Sequence, residues 1–423
     1  MQKTNIFNAT VIVAALGYFV DIFDLVLFGM VRTTSLQSIG VTEPDLITQY
    51  GLMLDNWQMG GMLLGGIFWG ILGDKKGRLT VLFGSIITYS IANIGNGLVE
   101  SVEMYSLFRF IAGFGLAGEL GAGITLVNEV MTKEKRGIAT AFVAATGIFG
   151  AVVGGFLVGG IESVSESLEI TRFESWRIAY FVGGGMGIVL LILRISVVES
   201  SIYNSVKHAK SSLGNIGILL KNKDLRLRYI SIIVIGFPIW YLVQLYAKYS
   251  PELVEAIGLK FENPDAIARH SIMYIYLGLT VGDLASGLIS NYLKSRKKAL
   301  RLFLFLVLFS LILFWTAGIQ SPLMFNSSMV LMGFAAGYWA IFMSTAAESF
   351  GTNIRSTVTN TAPNFVRGSV ILINSLFFLF ATKFELGAIW ANIIIGVLIM
   401  GLAFWALRNL KETFHTDLDY LEE

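Results

Sequence analysis

The chain of 423 residues is 55% hydrophobic and only 14% charged, with a mean hydropathy of +0.69; soluble proteins carry about 25% charged residues, so lipid must solvate much of this one. A formal net charge of +2 gives nucleic-acid binding no support. The absence of Cys excludes disulfides, thiol catalysis and Cys-built zinc sites, and the three His residues (His208, His270, His415) are too scattered to suggest a metal cluster.

In chain order, apolar runs of about 20 residues predict twelve membrane helices. They lie at about 10–32, 51–73, 79–99, 104–128, 137–160, 177–198, 229–250, 271–293, 299–319, 326–349, 357–381 and 386–408. The first run is too long for a cleaved signal peptide, carries Asp21 and Asp24, and has no A-x-A site after it. Many of the 45 glycines fall inside the runs, as at Gly60, Gly61, Gly65, Gly66 and Gly70. In lipid, small residues let helices approach closely.

Basic residues set the orientation. With the N-terminus inside, 22 of the 31 Lys and Arg fall in cytoplasmic segments and seven, among them Arg32 and Lys248, on the opposite face. Arg194 counts among the cytoplasmic ones. Arg109 and Arg367 lie within spans. Both termini are therefore expected in the cytoplasm. The expected domains are an N-terminal six-helix bundle (1–198), a cytoplasmic linker (199–228), a C-terminal six-helix bundle (229–408) and a cytoplasmic tail (409–423).

An internal repeat supports this division. Gly70-Ile71-Leu72-Gly73-Asp74-Lys75 recurs as Gly287-Leu288-Ile289-Ser290-Asn291-Tyr292, at an offset of 217. Glu129 and Arg136 recur as Glu348 and Arg355, at an offset of 219. Arg194 with Glu199-Ser200 recurs as Arg408 with Glu412-Thr413. Two homologous six-helix bundles around a central path are the arrangement of alternating-access transporters.

The run Gly70-Ile71-Leu72-Gly73-Asp74-Lys75-Lys76-Gly77-Arg78 resembles the loop between helices 2 and 3 of the major facilitator superfamily. The resemblance covers essentially the whole chain and implies an all-α membrane protein of twelve transmembrane helices in two pseudo-symmetric bundles. It also implies that Asp74 latches the halves on the inner side near Arg136; Leu79 stands where the family motif is usually basic. Arg109-x3-Gly113-x-Gly115-x2-Gly118-Glu119, then Glu129 and Arg136-Gly137, resembles the branch of sugar, organic-ion and metabolite–proton symporters. So do Trp176-Arg177, Arg194 and Glu199-Ser200. Asp21-Ile22-Phe23-Asp24 is similar to the Asp-Gly-aromatic-Asp of aromatic-acid/proton symporters, with Ile22 in place of Gly. Glu348-x6-Arg355-x11-Arg367 is similar in spacing to the helix 10–11 region of organic-anion transporters, whose second Arg faces the substrate path.

Six charged residues, Asp21, Asp24, Arg109, Glu119, Asp283 and Arg367, lie well within predicted spans. Each would cost about 2.5–3.5 kcal/mol at the bilayer centre, so each must face a partner or water. Asp21 and Asp24 are three apart and share a helix face. Two carboxylates so close in a dry site do not both ionise easily, which suits reversible proton binding; the plainer alternative is that one pairs with an Arg and holds the bundle. Glu119 shares the proton, binds a cationic part of the substrate or sits in a static salt bridge. Arg109, tied to proton coupling in the family, is otherwise an interfacial Arg. Asp283 suits a hinge or gate. Arg367 is about 15 Å from the inner end of its helix, and its planar fork matches a carboxylate. Asn364, Gln244, Trp240 and Gln58 are the further substrate contacts expected.

The expected function is proton-coupled uptake of a small organic acid by alternating access. Asp21, Asp24, Arg109 and Glu119 would couple protons. Gly70, Asp74, Gly77, Arg78, Glu129, Arg136, Asp283, Glu348 and Arg355 would gate. A sugar, polyol or zwitterionic osmolyte is the alternative substrate; a receptor or a membrane enzyme is less favoured, since no His, Cys or Ser constellation stands out. No metal or other cofactor is expected, with the proton as coupling ion. The expected partners are a small-molecule substrate and the lipid bilayer, not nucleic acid, with a monomer in the bacterial inner membrane.

Overall fold

A computed structural model describes residues 9–76, 78–119, 123, 127, 131, 133–169, 172–201 and 222–414. Among these the regular structure is helical throughout. Among the described residues nine helical stretches are long and apolar enough to cross a membrane. The elements are α1 (Ala9–Ser38), α2 (Pro44–Lys76), α3 (Arg78–Asn96), α4 (Val102–Leu116), α5 (Lys133–Ser167) and α6 (Arg172–Ser201). Then come α7 (Lys223–Ile235), α8 (Phe237–Tyr241), a π-helical turn (Leu242–Lys248) and α9 (Ser250–Ile257). The other α-helices are α10 (Ile267–Leu293), α11 (Arg296–Thr316), α12 (Pro322–Ala336), α13 (Trp339–Glu348), α14 (Thr352–Phe377) and α15 (Gly387–Asn409), and a second π-helical turn (Phe378–Lys383) follows α14.

Two predicted spans are interrupted, for local reasons. The span at 229–250 breaks at Gly236, because Pro238 lacks the amide that an α-helix needs there; it then widens into the π turn. The span at 326–349 breaks at Gly337 and Tyr338, where the backbone leaves helical geometry before α13 begins.

The chain divides into two compact units. The first comprises Met1–Leu27, Thr34–Val41 and Trp57–Gly214; the second comprises Phe28–Thr33, Thr42–Asn56 and Asn215–Glu423. Two segments of α1 and α2 thus group with the later helices rather than with the chain-order bundle 1–198. Polar bonds run between these segments and the later helices: Arg32 to Glu252, Asp55 to Lys248 and Gln244, and Asn56 to Asn374. Residues 202–221, most of the expected linker, lie outside the described residues.

Within each unit one helix pair packs backbone to backbone. In the first, Cβ atoms added at Gly61 and Gly65 of α2 would fall within about 3.0 Å of the Phe110 and Phe114 backbone of α4. In the second, Cβ atoms at Gly278 and Gly282 of α10 would do the same against the Gly333 and Phe334 backbone of α12. Gly61 and Gly65 precede Gly278 and Gly282 by 217 residues, the offset of the sequence repeat. Apolar side chains gain little from leaving lipid, so close approach of this kind is what holds such pairs together.

Candidate functional site

The first unit carries a chain of buried polar groups contributed by five helices. Asp21 and Asp24 project from α1 and are 3% and 1% exposed. Asp24 lies beside the Asn93 amide of α3 and within electrostatic reach of Arg109. Gly183 of α6 is what admits the Asp24 carboxylate: a Cβ there would stand 2.7 Å from Oδ1. Arg109 of α4 donates to Gln58 Oε1 of α2 and reaches the Tyr180 hydroxyl. Tyr180 in turn shares a 2.7 Å hydrogen bond with Tyr105.

Glu119 follows the turn that ends α4. Its two oxygens accept from both terminal nitrogens of Arg194, one bond measuring 2.9 Å. Arg194, expected as a cytoplasmic flanking charge, is instead 4% exposed and within electrostatic reach of Asp21. Burial against a carboxylate explains the difference, since an Arg fork pairs both oxygens at once. The ion pair is thus one of the alternatives open for Glu119, and Arg194 joins the site.

The second unit holds a polar network that sequence reasoning missed. Lys248 Nζ donates to Asp55 Oδ1 at 3.0 Å, with both side chains 1% exposed. Gln244 Nε2 donates to Asp55 Oδ2 at 2.9 Å and to Asn374 Oδ1 at 3.0 Å, and Asn374 donates to Asn56. The π-helical turn carries both Gln244 and Lys248, and such turns are frequent at functional positions. Beside them Arg32 pairs with Glu252 at 2.6 Å and stacks 4.1 Å over the Tyr249 ring; Thr48 also donates to Glu252. The available signal was the presence of Asp55, Lys248 and Arg32 in or at the ends of apolar runs. Of these residues, the sequence singles out only Gln244 as a substrate contact.

Arg367 lies on α14 and is 2% exposed. Among the described residues no carboxylate pairs with it, and its Nε has no hydrogen-bond partner. Its guanidinium stands 5.9 Å from the Trp339 ring centroid, and Trp339 packs on Phe342 at 4.9 Å. The Trp339 and Trp240 ring nitrogens are likewise buried without partners. Asn364, one turn before Arg367, donates to the Asn360 carbonyl. This site can accept an anion, since an unpaired buried guanidinium offers bonds that nothing else uses.

The expected gating residues separate into groups. Asp283 accepts from the Ala340 amide at the start of α13. Glu348 accepts from Arg296 at 3.0 and 3.2 Å and from Thr413 at 2.8 Å. Arg355 donates to the Ala347 and Phe350 carbonyls at the end of α13. Gly70 faces open space. Gly77 and Glu129 lie outside the described residues, as do the side chains of Asp74, Arg78 and Arg136.

A family profile described as Major Facilitator Superfamily matches residues 14–367. A cis,cis-muconate transport protein of Acinetobacter baylyi is 26% identical over 96% of this chain and 94% of its own length. A probable 4-methylmuconolactone transporter of Cupriavidus pinatubonensis is 24% identical over 85% and 81%. The crystal structure of a D-xylose-proton symporter superposes with a TM-score of 0.70 at 16% identity, covering 97% of this chain and 99% of that one.

Proposed function

This chain belongs to the Major Facilitator Superfamily, and from that premise we propose that it takes up a small organic acid together with protons by alternating access. Arg367 carries the reading: a buried guanidinium without an anionic partner among the described residues. A substrate carboxylate supplies that partner in two parallel bonds. The transport of muconate, a dicarboxylate, by a relative supports the same class.

The first unit supplies the proton site. Asp24, with Asn93 and Arg109 near it, takes up a proton when its charge is not needed to balance Arg109. Asp21, Glu119 and Arg194 form the adjoining charged group. Joint loading of proton and anion cancels charge, and carrying one uncompensated charge through 100 mV costs about 2.3 kcal/mol. The protein works as a monomer in the bacterial inner membrane, with both termini cytoplasmic.

The test is binding and proton-driven accumulation of carboxylates by purified protein in liposomes. Arg367→Ala lowers carboxylate affinity at least about 100-fold, the loss of two charge-assisted bonds. Arg367→Lys also fails, because an ammonium lacks the planar fork. Asp24→Asn abolishes accumulation driven by a pH gradient while preserving counterflow. Undiminished carboxylate binding in the Ala variant rejects the organic-acid reading in favour of a sugar or polyol.

A further inference from the structure

The break between α12 and α13 is held from outside at two points: the Tyr338 hydroxyl donates to the Ile235 carbonyl of α7 at 2.8 Å, and a carboxylate of α10 caps the start of α13. After Ala336 the backbone turns at Gly337 (φ −75°, ψ 62°) and Tyr338 (φ −127°, ψ 24°), and α13 starts at Trp339. The first amides of a new helix have no carbonyl to bond to within it. No side chain within the segment caps them, as the residue before α13 is Tyr338. Asp283 on α10 does so instead. Its Oδ1 accepts from the Ala340 amide at 2.6 Å, and the Trp339 amide lies within its hydrogen-bonding reach. A negative charge at a helix N-terminus also meets the positive end of the helix dipole.

Two further observations make this clamp specific. The junction sits against the backbone of α10 itself, where a Cβ at Gly337 would stand 2.5 Å from the Gly282 carbonyl carbon and 2.6 Å from the Asp283 nitrogen. The clamped residue is also the one that faces the anion site. Trp339 lies 5.9 Å from the Arg367 guanidinium. Its indole N–H and the Arg367 Nε–H are both buried and unpartnered.

We infer that Asp283 is a positioning residue for the anion site: by capping α13 across the break it fixes Trp339 against Arg367, so that the two unused donors are presented together. The inference rests on the organic-anion reading for its purpose, but the placement of Trp339 stands on the packing around the break and not on that reading. A carboxylate held by Arg367 then also meets the indole N–H. Asp283 touches neither the anion nor Arg367; it acts through Trp339.

The experiment labels the full chain with 5-fluorotryptophan in detergent micelles, assigns residue 339 by its loss in Trp339→Phe, and uses cis,cis-muconate as the probe. In wild type the 339 resonance is sharp. In Asp283→Asn, which keeps one acceptor oxygen, it stays sharp, and in Asp283→Ala it broadens or splits. The probe shifts the resonance in wild type and in Asp283→Asn, with an affinity at least five-fold weaker in Asp283→Ala. Chain folding in each variant is checked on the remaining tryptophan resonances. An unchanged 339 line in a folded Asp283→Ala protein overturns the inference, whatever the probe does. A probe that shifts the line equally in Arg367→Ala overturns the organic-anion reading alone, and a line that broadens only in Asp283→Ala then still upholds the clamp.

Discussion

Arg367 and Lys248 are two buried cations that meet the cost of burial in opposite ways. Lys248 is neutralised within its unit by Asp55, whose second oxygen is occupied by Gln244. Arg367 has no such carboxylate among the described residues and rests against the face of Trp339. An internal pair of this kind is costly to break from one side, at about 3–5 kcal/mol, whereas replacing both charges together by apolar groups is close to neutral. Asp55→Asn therefore lowers the thermal midpoint of the purified protein clearly. Asp55→Leu combined with Lys248→Met recovers most of that loss in scanning fluorimetry. If Asp55→Asn is as stable as wild type, the pair does not hold α2 to the π turn. Sequence reasoning did place Asp21, Asp24, Arg109 and Arg367 among the buried charges. It missed Asp55, which stands near the start of an apolar run where an exposed end was the simpler reading.

The elements are shaped by glycine and by what caps their ends. Gly61 and Gly278 are matched positions, each with its partner backbone where a side chain would stand. Adding one methyl at either overfills the contact, at about 1–3 kcal/mol. Gly61→Ala and Gly278→Ala should lower the thermal midpoint by similar amounts, and Gly60→Ala, which meets open space, should not. At the other end of the chain, residues 410–414 dock on α11. Glu412 accepts from Ser295 and from the Arg296, Thr413 and Phe414 amides. Partial burial pushes its carboxyl up, but those hydrogen bonds outweigh burial and hold it below the usual glutamate range. A lowered folded pKa stabilises docking at pH above the ordinary glutamate value of 4.5. That contribution is lost as pH falls through the lowered value. A spin label on Lys411→Cys should stay immobile at neutral pH and gain mobility on acidification. In the Glu412→Gln background its mobility should not change with pH.

For the molecule as a whole, the twofold plan appears in each unit separately: a glycine-lined helix pair at the same spacing, and a buried cluster of charges. The clusters differ in kind. The first unit gathers carboxylates beside arginines, and the second gathers amides, the Lys248–Asp55 and Arg32–Glu252 ion pairs and, in Arg367, an arginine with no carboxylate paired to it among the described residues. That difference is what allows one unit to handle a proton and the other an anion in the proposed cycle. The proposed orientation in the membrane rests on the 22 basic residues in the segments read as cytoplasmic. Reporter fusions after Gly214 and Glu423 should both report the cytoplasm; an external signal at either site would reverse the assigned topology.

Much of this could be read along the chain, because it is written in local terms. A membrane span is a length of apolar residues, and the superfamily motif and the repeat are short linear patterns. Each depends on neighbours in sequence, so no folded structure was needed to see it. The pairings were of another kind. Arg194 meets Glu119 across 75 positions, Asp283 meets Ala340 across 57 and Lys248 meets Asp55 across 193. An apolar run says that a charge inside it needs a partner, but not which one, because the partner is chosen by helix packing and by breaks such as those at Gly236 and Gly337. Only the packed helices bring one carboxylate to Lys248, another to the start of α13, and none among the described residues to Arg367.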